Sequence, residues 1–184
     1  MAGRAPKATH AAAPALAGRF AVVAGRFNEP ISKRLVDGAL AAYRAGGVAD
    51  GDVDVFWVPG SFELPQAASL LADTGRYAGI ACVGVVIRGE TPHFEYVARE
   101  AAAGIREVAL RSGIPTTFGV ITALTEEQAW NRAGGAVGNR GEEAAAAAVE
   151  MARLIGTVRG AARGKTSGTR KRSGRRARTG RPAR

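Results

Sequence analysis

The chain has 184 residues, with 26 Lys+Arg, 16 Asp+Glu, 25 glycines and a single cysteine. That length suits one domain with or without tails, and one cysteine excludes an intrachain disulfide framework; no Cys/His cluster has zinc-ligand spacing. The longest apolar run, residues 78–87, is too short to cross a membrane, and the Ala-rich N-terminus lacks the compact apolar core of a signal peptide, so a cytoplasmic protein without membrane attachment is expected. The formal net charge of +10 is unevenly placed: residues 159–184 carry eleven Lys+Arg and no acid, leaving residues 1–158 at −1. The excess charge therefore sits in a tail, which argues against a nucleic-acid-binding fold for the body of the chain.

Composition separates three zones. Residues 1–17 are Ala/Pro-rich with no hydrophobic period and are expected to form a flexible arm. Residues 18–157 alternate β-branched runs with amphipathic ones. Residues 158–184 are rich in Gly, Ser, Thr, Arg and Lys, bury too little apolar area to order themselves, and are expected to be a disordered basic tail.

In chain order, the middle zone predicts a strand over 19–24, a turn at Asn28-Glu29-Pro30 and a helix over 31–45 closed by Gly46-Gly47. A second strand over 53–58 stops at Pro59-Gly60, and a short helix over 62–72 has Pro65 in its first turn. The run 78–87 is the most apolar and is expected to be a central strand covered on both faces. A long helix over 93–111, a strand over 115–122, a helix capped by Thr125 and stopping near Gly134-Gly135, and a last helix over 142–155 complete the zone. Such alternation implies an α/β, three-layer sandwich, a mainly parallel four-stranded sheet with helices on both faces.

In such sheets ligands gather beyond the carboxyl ends of the strands. Those ends carry Gly25-Arg26-Phe27-Asn28, Pro59-Gly60-Ser61-Phe62-Glu63, residues 85–93 and Thr122-Ala123, where Gly or Pro stands beside polar and aromatic side chains. This composition suits a pocket with exposed backbone donors and an aromatic wall. Neither a G-x-G-x-x-G nor a G-x-x-x-x-G-K-[ST] pattern occurs, which removes the usual support for dinucleotide or Walker-type binding.

Four segments, GRFNEPISKRLVDGAL (25–40), WVPGSFELPQAA (57–68), GVVIRGETPHFEYVARE (84–100) and FGVITALTEEQAWNRAGGAVGNRGEEAAAAAVEMARL (118–154), resemble in order and spacing the signature segments of the 6,7-dimethyl-8-ribityllumazine synthase family. The resemblance covers roughly residues 18–156 and implies a flavodoxin-like sandwich. It also implies condensation of 5-amino-6-(D-ribitylamino)uracil with 3,4-dihydroxy-2-butanone 4-phosphate, releasing phosphate and water, without metal or cofactor. Assembly into pentamers, in some members a sixty-subunit shell, and association with riboflavin synthase belong to the same implication. The short Gly-rich joint over residues 134–141 resembles that of shell-forming members.

The resemblance assigns proton transfer to His93, the single histidine outside the N-terminal arm; by itself it would read as a helix-start residue. Phe27 becomes the platform under the pyrimidine, although a Phe after a strand-ending Gly also serves as a core lid. Ser61, Phe62 and Glu63 match the segment that recognises the ribityl chain and ring edge. Ser61 stands where Ala is expected, and Glu63 alone would read as a helix-dipole acid. Val85, Val86 and Ile87 offer backbone groups to the uracil; Cys82 in the same strand reads as packing.

For the phosphate, Glu90 (through its backbone) and Thr91 lie at a helix start, and Arg132 matches the phosphate-binding arginine. Its other reading is a solvated helix arginine. Arg140 stands where Lys is expected, and Phe118 would close the pocket from an adjacent subunit. A shell that binds lumazine or flavin without turnover, and non-specific polyanion binding by the tail, are the competing functions; the tail lacks aromatic stacking residues and would act electrostatically.

Overall fold

The computed structural model describes the backbone of residues 16–170 and the side chains of residues 16–160. Four β-branched runs form one parallel sheet in the order β2-β1-β3-β4, from β1 (Arg19–Gly25), β2 (Val53–Val58), β3 (Tyr77–Ile87) and β4 (Thr116–Ala123). Parallel strands need crossovers, and helices supply them on both faces. Alternate β1 residues Phe20, Val22 and Ala24 pack with α1 (Glu29–Ala45) and α5 (Arg140–Arg170), while Ala21 and Val23 pack with α2 (Leu64–Asp73) and α3 (His93–Ser112). The expected flavodoxin-like sandwich is the observed one. β3 is central as expected, with residues 79–86 all buried.

Several boundaries differ for physical reasons. α1 starts at Glu29, so Pro30 is a first-turn residue and not part of a preceding turn; its missing N–H falls where no helical partner exists. Asn28 precedes it in left-handed geometry (φ 59°), which Asn tolerates better than most residues. A 3₁₀ turn over Ser61–Glu63 leads into α2, with Pro65 in the first turn.

The helix capped by Thr125 is α4 (Glu126–Asn131), with the Thr125 hydroxyl accepting from Gln128 N at 3.2 Å. It ends at Asn131 and not at the glycines. Gly134 and Gly138, both at positive φ, belong instead to a small hairpin of β5 (Ala133–Gly135) and β6 (Gly138–Asn139) that carries no alternation to reveal it.

The last helix also departs from expectation at both ends. Asn139 Oδ1 accepts from Gly141 N at 2.8 Å and Glu142 N at 3.2 Å, starting α5 two residues early. α5 then runs to Arg170, so residues 158–170 continue a helix where a disordered tail was expected. A helix already nucleated gains one hydrogen bond for each residue it adds, so composition alone does not stop it. Residues 171–184 of that tail, and residues 1–15 of the N-terminal arm, lie outside the described residues. Leu16, assigned to the arm, packs against the α1/α5 layer. Among the described residues no helix is long and apolar enough to cross a membrane.

At the amino ends of the strands, Arg19 grips Asp54 with Nε to Oδ2 at 2.8 Å and Nη2 to Oδ1 at 2.6 Å, and the Tyr77 hydroxyl donates to Oδ2 at 2.9 Å. This network ties β1, β2 and β3 together. The Arg19 bonds, reinforced by Tyr77 and opposed by partial burial, lower the Asp54 carboxyl from 3.8 to about 2. A carboxyl depressed on folding stabilises above its unfolded value and loses that contribution as pH falls toward its folded one. Asp54→Asn is therefore expected to lower stability at pH 7 by about 1 kcal/mol, after allowance for solvent screening. The difference from the parent should shrink between about pH 5 and pH 2, as followed by urea denaturation.

Candidate active site

The carboxyl ends of β1, β2 and β3 surround a cavity of about 440 Å³. Its first wall comes from the turn after β1. The β1–β2 ladder continues past the strands, with Arg26 N donating to Val58 O at 2.8 Å and Phe27 N to Pro59 O at 3.0 Å. Gly25 and Gly60 make this approach feasible, because a Cβ on Gly25 would stand 3.1 Å from the Gly60 carbonyl carbon. Left-handed Asn28 then turns the chain into α1. Phe27 is left on the cavity wall with 71 % of its surface exposed, and Phe62 joins it from the next loop at 57 %. Two apolar rings at a cavity mouth are an unsatisfied surface that a flat ligand or a neighbouring chain would cover.

The second wall is the Gly60–Glu63 segment. Glu63 Oε2 accepts from Gly60 N at 2.9 Å, so one carboxylate oxygen holds the loop in shape. The helix-start reading of this acid and its place on the cavity wall thus hold together. Ser61 is 5 % exposed and its hydroxyl, buried without a partner, faces Gly84, where a Cβ would come within 2.6 Å of Oγ. The floor is Val85, Val86 and Ile87 at the end of β3, and the far side is Gly89, Thr91 and His93. His93 is the first residue of α3 and is exposed to solvent within the cavity.

Nine of the residues singled out from the sequence therefore share one cavity: Phe27, Ser61, Phe62, Glu63, Val85, Val86, Ile87, Thr91 and His93. Glu90 is exposed and lies outside the lining. Phe94 and Val97 line the cavity as well, and the sequence reading missed them. Their signal was present in the numbering: positions 93, 94 and 97 fall on one face of a helix that starts at the site.

Three expected residues stand elsewhere in the chain. Phe118 is the third residue of edge strand β4, in register with Cys82 and 44 % exposed. Arg132 closes α4, its Nη1 donating to Gln128 O at 3.0 Å, and its own carbonyl accepts from Arg140 N at 2.9 Å. Arg140 in turn pairs with Glu143, and its carbonyl lies 3.1 Å from where a Gly119 Cβ would be, beside Phe118 in the chain. None of the three lines the cavity. Cys82 is fully buried and burial pushes its thiol up to about 12, so it is inert packing as expected.

The 6,7-dimethyl-8-ribityllumazine synthase family model matches residues 17–156. The chain belongs to this family. The family is a transferase of riboflavin biosynthesis, and the whole cavity lies inside the matched region. The match ends at Gly156, fourteen residues before the end of α5.

A buried hydroxyl without a partner costs stability. Ser61→Ala is expected to raise unfolding stability by about 1 kcal/mol, seen as a higher urea midpoint with an unchanged slope. A lower midpoint would mean that the hydroxyl is hydrogen-bonded in solution.

Proposed function

We propose that the chain condenses 5-amino-6-(D-ribitylamino)uracil with 3,4-dihydroxy-2-butanone 4-phosphate to give 6,7-dimethyl-8-ribityllumazine, phosphate and water, in the cytoplasm. The observation that carries this reading is the meeting of His93, Phe27 and Glu63 around one cavity at the strand ends. The reaction joins an amine to a carbonyl as an imine, eliminates phosphate and closes a ring. Each stage moves protons between nitrogen, carbon and oxygen, and an imidazole accepts and donates them near neutral pH. Phe27 supplies the face on which a pyrimidine stacks, and the Val85–Ile87 backbone edge lies where a uracil would need donors and acceptors. The free oxygen of Glu63 is available to ribityl hydroxyls.

The phosphate is the difficulty for one chain alone, since Arg132 and Arg140 do not line the cavity that holds His93. The family is one of oligomers, and we assign Phe118, Arg132 and Arg140 to the neighbouring half of a site completed between copies. A pentamer, stacked into a sixty-subunit shell through the Gly-rich joint at the β5–β6 hairpin, is the assembly that this reading favours. The arginine fork then grips phosphate with two parallel bonds, while Thr91 and the start of α3 offer further donors.

Replacing His93 by Ala is expected to lower kcat by about 10²-fold with little change in KM, followed by lumazine absorbance after subtraction of the uncatalysed rate. Turnover like that of the parent would remove His93 from the mechanism. For the anion end, Arg132→Ala should raise KM for the butanone phosphate more than for the pyrimidine, and Arg132→Lys should recover part of the loss. Equal effects on both substrates would make Arg132 a structural helix residue.

A further inference from the structure

A second cavity, of about 240 Å³, lies at the other end of the sheet. Tyr77 and Ala78, which open β3, line it on one side, and Ile114 and Pro115, which lead into β4, line it on another. It therefore sits at the amino ends of these strands, whereas the first cavity takes Val85–Ile87 from the carboxyl end of β3. Ala78 and Val86, one in each lining, stand eight residues apart on β3, or about 26 Å. The space exists because the facing turn of α5 is small: Ala152 and Gly156 fall on one side of the helix, and Gly156 presents no side chain. Leu16 and Arg159 complete the lining, and both fall outside residues 17–156, the span of the family match.

The charge of this cavity is one-sided. Two guanidinium groups, Arg153 and Arg159, line it, and among the described residues no acid does. Arg153 uses Nη2 to donate to Gly46 O at 2.6 Å. Arg159 Nη2 stands 3.1 Å from where a Cβ on Gly113 would be, yet Arg159 has neither a hydrogen bond nor an ion pair among the described residues. The Asp54 carboxylate that the Tyr77 hydroxyl reaches is already held by the Arg19 fork. The remaining wall is aliphatic, from Leu16, Ile114, Pro115 and Ile155. Guanidinium forks pair with carboxylate oxygens, and an aliphatic wall takes an apolar body out of water. Pockets for drug-sized ligands run from about 300 to 1,000 Å³, so this one suits a body of a few carbons. We propose that the second cavity binds a small aliphatic carboxylate, gripped by Arg159 in the positive field of Arg153, at the end of the sheet opposite the catalytic cavity. The proposal is independent of the condensation reaction.

The test titrates sodium hexanoate into full-length protein and follows it by saturation-transfer NMR. Binding is expected with a Kd of about 1 mM or tighter, as a ligand of this size can reach. Acetate keeps the charge and loses the body, while 1-hexanol keeps the body and loses the charge; each should bind at least about tenfold more weakly. Arg159→Gln, a change at an exposed side chain that leaves the core intact, should weaken hexanoate about tenfold. Phe27→Ala, which alters the wall of the first cavity, should leave hexanoate affinity unchanged. Absence of hexanoate binding up to about 10 mM, parent-like affinity in Arg159→Gln, hexanol binding as tightly as hexanoate, or loss of binding in Phe27→Ala would overturn the proposal.

Discussion

The molecule depends on the double-sided burial of β3. A parallel strand at the centre of a sheet must be apolar on both faces, and space for two helical layers must be found within its own pleat. Gly79 and Gly84 provide it. The Phe20 ring lies where a Cβ on Gly79 would be, and packs on Tyr43 with centroids 5.1 Å apart. The Tyr43 hydroxyl satisfies itself on Ala21 O at 3.0 Å, and burial pushes its ionisation far above the ordinary phenol range. On the other face, Gly84 admits Ser61 and Leu64. The loop carrying Ser61, Phe62 and Glu63 is thereby drawn down against the end of β3, and this packing forms one wall of the cavity. Packing of the core and placement of the site are one event at Gly84.

A similar close approach governs the other helical layer. A Cβ on Gly141 would collide with the Leu35 carbonyl, so the start of α5 crosses α1 with backbone nearly touching backbone. Asn139 clamps the crossing, capping α5 through Oδ1 and donating from Nδ2 to Arg34 O at 2.8 Å. Arg132 and Arg140 are carried on either side of the β5–β6 hairpin that this clamp positions. Both arginines are thus held on one element at the β4 side of the sheet, outside the lining of the cavity that His93 enters. In the oligomeric reading, rigidity there is what allows a second subunit to present a guanidinium to a cavity it does not itself build.

The fold and most of the site were legible in the residues. β-branched apolar runs, proline at helix starts and glycine or proline at strand ends located every strand of the main sheet and every long helix to within a few residues, except for the far end of α5. Because loops at the carboxyl ends of a parallel sheet must converge, knowing those ends amounted to knowing nine cavity residues. The β5–β6 hairpin was not legible, since strands of two and three residues have no period and their glycines imitate a helix stop. Phe94 and Val97 were hidden because side chains one and four positions past His93 read equally well as packing for α3.

The sequence by itself determined the order of strands and helices, the family, the identity of the acid–base candidate and the segregation of charge into the last 26 residues. Tertiary structure decided what depends on distance between remote segments. It placed Glu63 in a bond with Gly60, left the Ser61 hydroxyl without a partner, kept Arg132 and Arg140 out of the lining that holds His93, and continued α5 to Arg170. Local pattern encodes which face of an element is buried, but the partner that buries it is set by close approaches such as Gly84 to Ser61 and Gly141 to Leu35. Those are properties of two segments at once, and no single stretch of chain contains them.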